Sequence, residues 1–275
     1  MHAFICTACG TQYPPSDHAP ADCPICQEER QYVPPRGQTW TVPAALAAGH
    51  VNGWRQHEPG LYGIGTQPQF AIGQRALLVV TPHGNVLWDC ISMLDPATVA
   101  LIKSLGGLVG IAISHPHFYT SMVDWSRAFG DVPIHLHQAD ERWIMRPDPA
   151  IKSWHGDTFQ LLPGLTLIRG GGHFPGGTML HWAAGAGGRG ALLSADIATV
   201  TTDRRFLSFM RSYPNLIPLS AAQVTAIGSS VEPFAFEAIY GHYFDRVIPS
   251  GAKDILRASV KRYIDAIGGV YERDS

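Results

Sequence analysis

The sequence predicts an α/β protein of stacked sheets flanked by helices, an αββα sandwich, with a small extra module at its N-terminus. Three observations predict it. Four of the five cysteines fall early in the chain as two Cys-x-x-Cys pairs. Strand-like runs alternate with helical spacing through the middle of the chain. Paired strand-like runs joined by turn residues occur at both ends. With 275 residues, 45% of them hydrophobic and 15% charged, the chain can bury a core and lacks the composition of a disordered one. Its 29 glycines and 21 prolines imply many turns and therefore many short elements.

Residues 1–36 make the module. The knuckles read Cys6-Thr7-Ala8-Cys9-Gly10 and Cys23-Pro24-Ile25-Cys26. Zinc takes four thiolates in a tetrahedron, and each tight knuckle brings two sulfurs to one point, so a zinc-ribbon-like site with a structural zinc is expected. Gly10 lets the backbone fold beneath the ion without a Cβ clash. Two disulfides or redox pairs are the competing reading, and no βαβ redox pattern stands nearby to support it. A rubredoxin-like iron site is a lesser alternative. The opening Met1-His2-Ala3-Phe4 has neither a basic nor an apolar leader region, and no run approaches the ~20 apolar residues of a membrane span. A cytoplasmic address without membrane association is therefore expected. The module sets Arg30 and Arg36 against Asp17, Asp22, Glu28 and Glu29, and the whole chain carries a formal charge of −2. Neither is the basic surface that nucleic acid requires. Packing onto the main domain, or onto another subunit of an oligomer, is the expected role. Pro34-Pro35-Arg36-Gly37 reads as the linker to a main domain of residues 37–275.

In that domain, residues 50–70 contain His50, Trp54, His57, Tyr62 and Phe70 with weak periodicity, and read as a surface connection with aromatic anchors or a lid. Arg75–Thr81 and Asn85–Asp89 read as strands around a Pro82-His83-Gly84 hairpin turn. Pro96–Leu105 has helical spacing, with Asp95 as N-cap and Gly106-Gly107 as the stop. Leu108–Ser114 is a continuous apolar run, hence a buried strand. Thr120–Phe129 reads as helix, Pro133–His137 as a short strand and Gln138–Met145 as helix. Leu165–Arg169, Thr178–Trp182 and Ala191–Ser194 read as strands, the last two joined by a flexible turn at Gly185–Gly190. Ser220–Val231 and Ala252–Ile267 read as helices, with a strand at Ala238–Tyr240 between them.

The 13 histidines are the compositional oddity. The strand Leu108–Ser114 runs into His115-Pro116-His117. Residues two apart on an extended chain point the same way, and Pro116 keeps His115 out of the helical region. Two imidazoles then converge at the carboxyl end of a strand. Three more candidates follow strands. His173 lies in Gly170-Gly171-Gly172-His173-Phe174-Pro175-Gly176-Gly177, Asp196 closes Leu193-Ser194-Ala195-Asp196, and His242 lies in Tyr240-Gly241-His242-Tyr243.

This order of His-x-His, Gly-His-x-Pro-Gly, strand-Asp and Gly-His resembles the metallo-β-lactamase superfamily, from about Leu61 to His242. The resemblance implies the αββα fold with a metal site on one edge of the sheets, and hydrolysis of a carbonyl or phosphate ester as the commonest chemistry. The family motif is usually His-x-His-x-Asp-His, whereas this chain reads His115-Pro116-His117-Phe118-Tyr119-Thr120. By resemblance, His115, His117 and His173 are the full ligand set of the first metal. Asp196 matches the bridging residue, and His242 the last ligand of the second metal. Tyr119 and Thr120 replace the other two second-metal ligands. One metal, zinc or iron, is therefore expected rather than two. The resemblance also places Asp89 beside the metal loop, where it would fix that loop through hydrogen bonds, against an ordinary strand-end role.

Other residues read more plainly. His135-Leu136-His137 is a polar strand edge or a contact to the ligands, without a ligand pattern of its own. Cys90 is a small buried hydrophobe, since no cation or base stands beside it. Ser194 lacks the Gly-x-Ser-x-Gly elbow of a nucleophile.

Three imidazoles with an open position suit a catalytic metal. The expectation is a mononuclear metal-dependent hydrolase of a small-molecule ester, lactone, thioester or similar carbonyl substrate. Asp196 would orient water or take its proton, and Tyr119 or His242 would assist the leaving group. A non-haem iron oxidoreductase using His115, His173 and Asp196 is the alternative. A non-catalytic scaffold, with metal on the cysteines alone, is the third reading.

Overall fold

The computed structural model describes Met1–Arg273. The chain divides into two compact units, Met1–Trp154 and the part from His155 onward.

In the first unit, β1 (Ile5–Cys6) and α1 (Pro24–Gln27) lie at the two cysteine knuckles. β1 pairs antiparallel with β2 (Trp40–Thr41), so strand pairing of the module runs past residue 36. Pro43 opens α2 (Pro43–Gly49), a position where a missing N–H costs the helix nothing. Cys6, Ala8, Cys9, Tyr13, Cys23 and Ile25 form one buried cluster, with Trp40, Trp143 and Met145 packed against it. The module thus rests on later segments of its own unit.

A seven-stranded sheet follows. Its strands, in spatial as in chain order, are β3 (Val51–Glu58), β4 (Leu61–Gln67), β5 (Ala76–Val79), β6 (Val86–Trp88), β7 (Gly110–Ala112), β8 (Ile134–His137) and β9 (Ile151–Trp154). The first four pair antiparallel as hairpins, and the last four run parallel. Residues 50–70 are therefore corrected: neither a lid nor a plain connection, they are mainly the β3–β4 hairpin at the edge of this sheet. Trp54 and Tyr62 meet edge to face at 6.3 Å across it. Parallel strands need crossovers, and α3 (Pro96–Ser104) and α4 (Met122–Ala128) supply two of them. Asp95 caps α3 by accepting the Thr98 N–H at 2.6 Å, and Gly106 and Gly107 end it with positive φ. The helix expected at Gln138–Met145 is a 3-10 helix over Gln138–Trp143, begun by His137, whose ring nitrogen accepts the Ala139 N–H.

The second unit holds a six-stranded sheet. β10 (Thr158–Leu162), β11 (Leu165–Arg169), β12 (Thr178–Trp182) and β13 (Ala191–Ala195) form an antiparallel meander. A single turn, α5 (Gly185–Gly188), joins β12 to β13 through left-handed Ala186 and Gly187. Two small hairpins follow, β14 (Thr199–Val200) with β15 (Leu207–Ser208) and β16 (Met210–Ser212) with β17 (Ile217–Pro218). Then come α6 (Ala221–Val231), β18 (Ala238–Gly241) parallel to β13, β19 (Val247–Ile248) and α7 (Ala252–Ile267). Ser220 and Gln223 form a capping box at the start of α6. That helix buries Val224, Ile227 and Val231 in a core with Ile168, Met179, Leu192 and Ile239. Burial of each such side chain stabilises the unit by about 1.5–3 kcal/mol. Among the described residues, no helix is long and apolar enough to cross a membrane.

Candidate metal centre

Two groups of ligand-type side chains stand out among the described residues. The first is Cys6, Cys9, Cys23 and Cys26, whose sulfurs all lie within 4.8 Å of one another. Cys6 Sγ and Cys26 Sγ are 3.4 Å apart, and Cys9 Sγ and Cys23 Sγ 3.6 Å. Zn–S bonds of ~2.3 Å place tetrahedral sulfurs about 3.8 Å apart, so the donor set fits zinc. All five cysteines are free thiols. Tyr13 donates its hydroxyl to Cys23 Sγ at 3.2 Å. Burial pushes the Cys9 thiol well up, an unfavourable state for ionisation that a divalent cation would reverse.

The second divides between the units: His115 and His117 lie in the first, His173 and Asp196 in the second, and all four are buried. Local structure explains how each side chain is presented. β7 ends at Ala112, and the chain continues extended through His115 (φ −171°) into a one-turn 3-10 helix at Pro116–Phe118. Asp89, turned by a positive φ, accepts the Ser114 N–H on Oδ1 at 2.8 Å. Ser114 Oγ meets His115 Nδ1 at 2.9 Å, and Gln74 Nε2 donates to the His117 carbonyl at 2.6 Å.

His173 sits where Gly171 and Gly172 turn left-handed after β11. A Cβ on Gly172 would lie 2.8 Å from side-chain carbons of both Ile227 and Leu219, so glycine is required twice over. Nδ1–H of His173 donates to the carbonyls of Arg211 (2.8 Å) and Met210 (3.1 Å), which puts the ring proton on Nδ1 and the lone pair on Nε2. That atom is 3.9 Å from Asp196 Oδ2. Asp196 follows Ala195, whose positive φ (47°) turns the chain at the end of β13. Burial pushes the Asp196 carboxyl up to about 7. A neighbouring cation is the ordinary means of holding such a carboxyl ionised.

The other expected residues are placed as follows. His242 follows β18 and donates Nδ1–H to the Ala195 carbonyl at 3.1 Å. Tyr119 is buried and directs its hydroxyl at the Asp140 carbonyl, 3.5 Å away. His137 is buried edge-on to Trp154 at 4.5 Å. Cys90 is fully buried, and its thiol is pushed up by that burial. Ser194 gives its hydroxyl to the Ala198 carbonyl. Sequence reasoning missed the residues that hold the ligands. Gln74, Ser114 and Tyr213 carry no motif. Tyr213 donates to the Asp196 carbonyl at 2.9 Å and lies edge-on to His173 at 5.5 Å.

No family model matches the chain. It is 45% identical over 269 residues to the uncharacterized protein YmaE of Bacillus subtilis (strain 168), covering 97% of each. Its structure resembles the DIM-1 metallo-β-lactamase exposed to ceftazidime, with a TM-score of 0.59 at 11% identity over 78% of this chain and 97% of that one. VMB-1 at pH 5.5 gives 0.58 at 12% identity, over 78% and 98%. The metallo-β-lactamase SMB-1 in complex with mercaptoacetic acid gives 0.51 at 15%, over 75% and 94%. These likenesses show the fold, and it is the αββα class expected from the sequence.

Proposed function

The chain belongs to one family with YmaE of Bacillus subtilis (strain 168) and has the metallo-β-lactamase fold, and from that premise we propose that it is a metal-dependent hydrolase of a small ester, lactone, thioester or similar carbonyl substrate. One observation carries this reading: each unit buries part of the donor set, His115 and His117 after β7 in the first, and His173, its Nε2 3.9 Å from Asp196 Oδ2, in the second. The donor set suits one divalent metal, held by His115, His117 and His173 with Asp196 beside it. A metal bound there supplies Lewis acidity and lowers the pKa of coordinated water toward neutrality.

The chain's own groups do the rest. Asp196 orients the attacking water and accepts its proton, from a position fixed by the turn at Ala195 and by Tyr213. His242, which donates Nδ1–H to the Ala195 carbonyl, returns a proton to the leaving group. Tyr119 is the second candidate for that proton; with its hydroxyl on the Asp140 carbonyl, it ranks behind His242. The site is mononuclear in this reading, because Tyr119 and Thr120 follow the His-x-His pair. The four cysteines hold a second, structural zinc.

Elemental analysis beside an assay panel of aryl esters, lactones and thioesters tests the reading. Two metal ions per chain are expected in the wild type. The His115→Ala/His173→Ala variant should hold one, with hydrolysis lost. Three ions per chain would replace the mononuclear site with a dinuclear one. Iron at the histidines with dioxygen uptake would replace hydrolysis by oxidation. One ion in the wild type, on the cysteines, would leave a scaffold.

A further inference from the structure

The His115-Pro116-His117 loop is held at three places along its length, and the third hold comes from the cysteine module. Asp89 takes the Ser114 N–H before the loop, and Gln74 grips the His117 carbonyl within it. After the loop, the Gln12 N–H donates to the Thr120 carbonyl at 3.0 Å. Thr120 has a positive φ of 30°, a backbone state that a threonine keeps only where its surroundings impose it.

Gln12 is suited to impose it. The residue is 1% exposed. Its Nε2 donates to Asp124 Oδ2 at 2.7 Å, and its Oε1 accepts from Arg146 Nη1, which also binds Asp124 Oδ1 at 2.8 Å. Two residues back, the knuckle itself is seated. Ser92 Oγ donates to the Gly10 carbonyl at 2.8 Å, and a Cβ on Gly10 would stand 2.4 Å from Ser92 Oγ. The Gly10 N–H closes the knuckle on the Cys6 carbonyl at 2.8 Å. Cys9 of the module, Ser92 that seats its knuckle, Gln74 that grips the loop and Thr120 that ends it wall one small cavity.

We propose that Gln12 is a positioning residue for the histidine metal site, through which the cysteine module sets the geometry of the His115-Pro116-His117 loop. This rests on the proposed metal role of His115, His117 and His173. The physical reason is that metal affinity depends on ligand orientation as well as identity, and loss of a group that orients ligands typically lowers affinity 10–100-fold. The hydrogen bonds of Gln12 run to Thr120, Asp124 and Arg146, so its effect passes through them.

The experiment measures zinc affinity separately at the two sites by chelator competition in wild type, Gln12→Ala and Ser92→Ala. Cobalt substitution distinguishes the sites, because only the cysteine site gives thiolate charge-transfer absorption. In Gln12→Ala, affinity at the histidines should fall about tenfold or more while the cysteine site stays filled. Ser92→Ala, which removes one neutral hydrogen bond and strands no charge, should show a smaller fall of the same kind. It keeps the test open if Gln12→Ala does not fold. A merely structural role would lower the melting temperature and leave histidine-site affinity unchanged. That result, in a wild type holding two ions, overturns this inference alone. A wild type holding one ion, on the cysteines, overturns both this inference and the hydrolase reading.

Discussion

Asp89 Oδ1 accepts the backbone N–H of Ser114 at 2.8 Å, which ties the end of one strand to the residue before His115. Both residues are buried. Asp89→Ala should therefore strand the Ser114 N–H at a cost of about 1–3 kcal/mol. It should also weaken zinc at the histidines without touching the cysteine site. Asp89→Asn keeps an acceptor oxygen and should restore most of both. Urea unfolding and zinc competition on the two variants check this, and equal behaviour of alanine and asparagine would contradict it.

Gly172 carries two constraints, a φ of 76° and side chains of Ile227 and Leu219 at 2.8 Å from where a Cβ would be. Gly172→Ala should destabilise by about 1–3 kcal/mol and displace His173, lowering metal at the histidines. Gly187 also has a positive φ, 67°, but nothing lies within 4 Å of its Cβ position. Gly187→Ala should show only the backbone part, about 1 kcal/mol, with metal content unchanged. Thermal unfolding and metal analysis of the pair separate strain from clash.

How far the sequence revealed this molecule follows from what each segment must satisfy. α3 was legible because its stop and start are local: Asp95 reaches Thr98, and Gly106 and Gly107 turn the chain. His115, His117, His173 and Asp196 were legible because each follows an apolar strand. The β3–β4 hairpin was hidden. Its edge strand carries Arg55, Gln56, His57 and Glu58, and Gly53, Gly63 and Gly65 dilute the alternation that marks a strand. The holds on the ligands were hidden for another reason. Gln74 reaches a backbone carbonyl 43 residues away, and Gln12 reaches Asp124 across 112. A hydrogen bond to a distant main chain leaves no pattern in sequence.

Arg75 donates to His57 Nε2, and Arg55 adds a second positive charge nearby. Burial first, and these arginines next, push His57 down to about 4 from an ordinary value of 6.5. As pH falls, the unfolded chain therefore takes up the proton before the folded one does. This contribution to stability is complete above about pH 6.5 and is lost as pH falls toward 4. Because His57 is partly exposed, roughly 1–2 kcal/mol is expected across that window. Urea unfolding of wild type and His57→Gln from pH 7 to 4 reads it: the variant should lack this part of the slope.

Tyr13 bears on the cysteine site through one atom. Its hydroxyl donates to Cys23 Sγ at 3.2 Å, while its ring meets Trp40 edge to face at 5.0 Å. Tyr13→Phe keeps the ring contact and removes only the hydrogen bond. A hydrogen bond to a charged group contributes about 1.5–3 kcal/mol, and in the zinc-loaded module the acceptor is a thiolate. Zinc affinity at the cysteines should then fall on the order of tenfold or more. The melting temperature of the zinc-loaded protein should fall, and chelators should release that zinc at lower concentration. Because the buried cluster of Cys6, Ala8, Cys9 and Ile25 is packed around the same sulfurs, release should expose Trp40 and Trp143, visible as a red shift in tryptophan emission. A Tyr13→Phe protein that holds zinc as firmly as wild type would show that the hydroxyl does not tune the thiolates.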